Sequence, residues 1–71
     1  MIPPDDHLLA ISRRAEAIIA EIEIATDQLT VFDLQARATE LIAELPRAID
    51  RARLQERVDD AAARRLRELE M

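Results

Sequence analysis

Thr26-Asp27-Gln28-Leu29-Thr30-Val31-Phe32-Asp33-Leu34 is the stretch on which the fold of this 71-residue chain turns. Ahead of it, apolar residues recur at alternating spacings of three and four: Leu8, Ile11, Ala15, Ile18, Ile22, Ala25, Leu29 and Phe32. A 3.5-residue period marks a helix with an apolar seam suited to left-handed packing against another helix. Past Phe32 the frame slips by two residues. It resumes as Leu34, Ala38, Leu41, Leu45, Ala48 and Ala52, flanked by Val31, Ile42 and Ile49. A slip of two turns the seam to another side of the helix, so two helices are expected to meet here. Thr30-Val31-Phe32-Asp33 has the form of a capping box with Asp at N3, and Leu29 and Leu34 then stand at the two positions of a hydrophobic staple. The expected boundaries are helix one near 6–25 and a second helix opening near 31.

Towards the amino terminus, residues 1–5 read as a short arm. Pro3-Pro4 disfavours helix before it, and Asp5 or Asp6 can act as N-cap beside the helix's positive end. Towards the carboxyl terminus the next punctuation is Pro46, whose ring clashes with the preceding turn and removes a backbone donor. Either helix two stops and a third begins at Pro46, making a three-helix bundle, or a single long arm is kinked there. Leu45-Pro46-Arg47-Ala48 contains no Gly, Asn or Ser, and the apolar frame continues through Ala48, Ile49 and Ala52. Both points favour the kink. The expectation is an all-α single domain, a helical hairpin with a Pro-kinked second arm (segments 31–45 and 46–69) or else three short helices, associating into a bundle.

After Leu54 the core signal thins to Val58, Ala61, Ala62, Leu66 and Leu69. Such a stripe suits a helix that leans on a partner. Its charges are spaced for intrahelical pairing: Asp60 with Arg64, Arg64 with Glu68, Arg53 with Glu56, Arg67 with Glu70. Each such exposed pair contributes only about 0.2–0.5 kcal/mol.

Composition excludes much else. Of the apolar residues, 13 are Ala, leaving eight Ile, nine Leu, two Val and one Phe as bulky material besides the terminal Met residues. A domain this small buries only about 60% of its unfolded surface. Gly, Asn, Lys, Cys, Trp and Tyr are absent. An alphabet of Ala, Leu, Glu and Arg favours helix over sheet. Without Cys, Lys or Tyr there is no thiolate nucleophile, Schiff base or phenolic acid. No apolar run reaches membrane-span length, and the acidic, Pro-containing start differs from a secretory signal. A cytoplasmic location is expected, with no membrane, cofactor or metal.

Asp5, Asp6 and His7 are adjacent in an arm instead of converging from fixed elements, so capping explains them better than metal binding. Glu40 and Glu44, Asp59 and Asp60, or Glu16 and Glu23 invite acid–base chemistry. Such chemistry needs a concave, partly dry site to separate two pKa values, and a thin bundle offers little of that. Arg47, Arg51, Arg53, Arg57 and Arg64, with Arg65 and Arg67, form the most suggestive cluster. They could contact phosphates or an acidic partner, or form a solvated face interleaved with six acids. Charge is uneven: residues 1–45 carry −6 and residues 46–71 carry +1.

The functional expectation is a small interaction or accessory protein, not an enzyme. It would act as a homo-oligomer (a dimer or tetramer) centred on the seam Leu8, Ile11, Ala15, Ile18, Ile22, Ala25, Leu29 and Phe32, by binding a larger protein, or by both. The alternative is a DNA-associated regulator or antitoxin with an acidic body and an Arg-bearing last helix; the net charge argues against nucleic acid as the principal partner.

Overall fold

The computed structural model describes residues 4–70, with side chains from Leu8 onward. It is a bundle of three helices: α1 (Pro4–Ile24), α2 (Gln28–Ile42) and α3 (Ala48–Glu70). Each packs on the other two, in a rod measuring 49 × 18 × 13 Å. No strand is present among the described residues. Nor is any helix there long and apolar enough to cross a membrane.

Pro4 opens α1, a position that suits its fixed φ and missing N–H. Asp5 and Asp6 therefore lie in the first turn and not before it; their side chains and that of His7 lie outside what is described, as do residues 1–3 of the expected arm. The α1–α2 break is where the slip in frame places it, but its cap is one turn earlier than the capping-box reading. Asp27, in extended backbone, accepts from the Thr30 amide at 2.9 Å, and Gln28 is the first helical residue. The Leu29–Leu34 staple does not form: Leu34 is buried and Leu29 is exposed. Leu29 sits inside α2's first turn, so its position before the cap is lost.

At Pro46 the chain reverses, and the kinked-arm reading is corrected to three helices. Bonds from Glu44 N to Leu41 O (3.1 Å) and from Leu45 N to Ile42 O (3.0 Å) tighten the end of α2. Leu45, pushed out of α geometry by the following proline, turns inward and is buried. Ala48, Ile49 and Ala52, which continue the apolar frame in sequence, are exposed. The turn needs neither Gly nor Asn, since no described residue has a positive φ.

Hydrogen bonds fix the directions. Gln35 bonds Asp59 at 2.8 Å and Gln55 bonds Thr39 at 3.1 Å. Moving four residues forward on α2 moves four back on α3, so the two are antiparallel. Arg57 reaches Glu16 and Arg65 reaches Ala25. There the numbers rise together, so α1 and α3 run parallel. The core between them holds Ile11, Ala15, Ile19, Ile22 and Ala25 from α1 and its end. It is completed by Val31, Leu34, Ala38, Leu41, Ile42 and Leu45, then Leu54, Val58, Ala61 and Ala62. Leu66 and Leu69 pack on its edge, as the thin stripe of α3 implies.

Candidate functional site

The expected oligomer seam divides in two. Ile11, Ala15, Ile22 and Ala25 are buried within the chain's own core, and Leu8 and Ile18 pack against it. Their stripe is therefore covered by α2 and α3 of the same molecule. Leu29 and Phe32 keep the period but belong to another helix, and they face outward, 79% and 51% exposed. Ala36 and Ala43, one and three turns further, are exposed on the same side of α2. Opposite them on the same helix, Val31, Leu34, Ala38, Leu41 and Ile42 are buried. α2 thus carries two apolar stripes: one is the core, and the other has no cover within the chain. Ile24, 74% exposed at the end of α1, adds a further large apolar side chain at the same end of the bundle.

The arginine cluster of α3 also divides. Arg51 Nη1 donates to Leu45 O at 2.6 Å and Arg65 Nε to Ala25 O at 2.7 Å, so these two hold the interhelical turns. Arg65 also pairs with Glu68 at 2.8 Å. Arg57 forks onto Glu16 of α1, with Nη1 to Oε1 and Nη2 to Oε2, the second at 2.9 Å. Arg53 and Arg64 are exposed and line separate shallow recesses between α1 and α3, beside Asp50 and beside Glu23 with Asp60 respectively. Arg47 lies in the turn before α3 and is exposed. Among the described residues the intrahelical ion pairs are Arg37–Asp33 (3.2 Å) and Arg65–Glu68, and not the four anticipated from spacing alone.

The carboxylate pairs are likewise dispersed. Glu16 faces Arg57, whose hydrogen bond lowers its pKa from 4.5, opposed by desolvation and helped by the guanidinium charge; the same contact raises that of Arg57. Asp27 is lowered from 3.8 by hydrogen bonding to the Thr30 side chain and amide. Asp59 accepts from Gln35 and Gln55, two neutral amides, while Asp60 is on the α1 side. Glu40 and Glu44 line an open recess with Arg14 and Arg37. No group of three or more His, Cys, Asp or Glu among the described residues is arranged to hold a metal ion.

Sequence reasoning missed the outer stripe of α2 by assigning Leu29 and Phe32 to the seam of helix one. The available signal was an excess of apolar positions: 29, 32 and 36, with 43 at the C-cap, interleave with 31, 34, 38, 41 and 42, too many for one buried face of a 15-residue helix. Comparison with known proteins finds no matching family, curated protein or solved structure.

Proposed function

We propose that this chain is a small cytoplasmic accessory protein that works by binding another protein, with the outer face of α2 as its contact surface and no catalytic role. The observation that carries this reading is the exposure of Leu29 and Phe32, one turn apart, beside a core that is already closed. Leaving both in water forgoes roughly 1–2 kcal/mol of burial each, since Leu29 is 79% and Phe32 51% exposed.

A photo-crosslinker placed at Phe32 in cells that make the protein tests this reading. A discrete adduct is expected there, and none when the same group replaces Ala17, which is exposed on the outer side of α1. Adducts at neither position, or equally at both, would overturn it.

A further inference from the structure

We infer that the occupant of this face is a cationic amphipathic helix on the partner, an inference that rests on the protein-binding reading above. The shape calls for a helix. Leu29, Phe32, Ala36 and Ala43 form a line along one helix, about 21 Å from end to end, with small residues at the far end that let a second backbone come close. A helix laid along such a line presents anchors at i, i+3, i+4 and i+7.

The charge calls for a cation. Beside the stripe, α2 and its C-cap turn carry Asp33, Glu40 and Glu44 against Arg37, with Arg14 of α1 in the same recess as Glu40 and Glu44. Asp27, at the Leu29 end of α2, has its carboxylate engaged by Thr30, and Asp59, on the side of α3 that meets α2, by Gln35 and Gln55. All of those donors are neutral, so both negative charges persist. Of the nearby cations, Arg37 is paired with Asp33 and Arg65 with Glu68 and Ala25 O, while Arg14 faces two carboxylates, Glu40 and Glu44, across one recess. Arg67, half a turn from the core side of α3, points away from the bundle. A second copy of the chain would bring the same carboxylates together across the contact, which like-charge repulsion disfavours.

Three labelled 18-residue peptides test the inference by fluorescence anisotropy against the full chain. They share a Leu stripe at i, i+3, i+4 and i+7 and differ on the opposite face, which is Arg, Gln or Glu. The Arg peptide is expected to bind saturably at one to one, at least about tenfold tighter than the Gln peptide at low salt. The gap should narrow at 0.5 M salt, where charges are screened within about 4–5 Å. Phe32→Ser should abolish binding while the circular dichroism melt is retained. Asp59→Asn should weaken the Arg peptide by about two- to fivefold and leave the Gln peptide unaffected.

Equal or tighter binding of the Glu peptide, or Arg-peptide binding indifferent to Phe32→Ser, overturns the cationic occupant. If a Phe32 crosslink is still found in cells, the protein-binding reading survives that result. Sedimentation showing a dimer that Phe32→Ser dissociates would identify the occupant as a second copy and overturn the inference too. Absence of binding by all three peptides together with absence of the crosslink removes both.

Discussion

Arg65 of α3 donates from Nε to the carbonyl oxygen of Ala25 at 2.7 Å, forty residues away in sequence. Ala25 ends the run of α1, where carbonyls lack intrahelical partners. Arg51, two heptads earlier on the same side of α3, does the same for Leu45 O after α2. One helix therefore ties down both turns of the bundle, using arginines that in sequence are indistinguishable from their solvated neighbours.

Removing either tie should be felt in stability. Arg65→Ala and Arg51→Ala are each expected to lower unfolding free energy by about 1.5 kcal/mol, the low end of the range for a hydrogen bond to a charged group because both contacts are only partly buried. Arg53→Ala, exposed on the same helix, should change it by less than about 0.5 kcal/mol. Urea midpoints of the three variants at pH 7 check the ranking; equal effects would mean the turns do not depend on these contacts.

Core and outer stripe should separate cleanly. Ile22 is fully buried, and Ile22→Ala is expected to cost about 2–5 kcal/mol, enough to unfold much of a marginally stable chain. Leu29→Ser should stay within about 0.5 kcal/mol of the parent, and Phe32→Ser, whose ring is half-buried, within about 1–1.5 kcal/mol. Thermal and urea unfolding decide this. A large loss from Phe32→Ser would place that ring in the core and remove the outer face.

Acid should dissolve one interhelical link before the core is affected. Glu16 is held below its ordinary 4.5 by Arg57. A carboxylate with a lowered folded-state pKa adds stability above its unfolded pKa, and that increment disappears as pH falls through the folded value. A double-mutant cycle of Glu16→Ala and Arg57→Ala should give a coupling of about 0.2–1 kcal/mol at pH 7, modest because the pair is exposed. The coupling should decline below about pH 4.5 and vanish once Glu16 is protonated. Asp27 behaves alike, with its window starting lower, near 3.8. Asp27→Ala should destabilise α2 while Asp27→Asn or Asp27→Ser restores the cap at any pH.

The frame slip, the helical alphabet and the thin stripe of α3 were legible because periodicity and composition act locally. Val58, Ala61 and Ala62, the apolar positions left in that stripe after Leu54, are buried in the core. Two features were not legible. The Asp27 cap competed with Thr30, an equally good capping residue three positions on, and only the backbone geometry separates them. The roles of the arginines depend on which carbonyl each meets across the bundle, and no spacing within α3 encodes that. Leu29 and Phe32 show a third kind of difficulty: a period can continue unbroken in sequence after the helix carrying it has ended.

Pro46 provides the sharpest test of the fold. Within a continuous helix, Pro46→Ala would restore a hydrogen bond and relieve a clash, a gain of up to about 3 kcal/mol. In the bundle the residue instead occupies a turn between Ile42 and Ala48, where its ring limits the unfolded chain and the substitution should cost about 0.4–1 kcal/mol. Straightening is opposed on both sides of the proline, by Leu45 buried in the core and by Arg51 on its carbonyl. Helicity and sedimentation coefficient should therefore remain those of the parent while the urea midpoint falls slightly. A marked gain in stability with a more extended particle would mean that α2 and α3 can fuse, and that the reversal depends on the proline more than on the core.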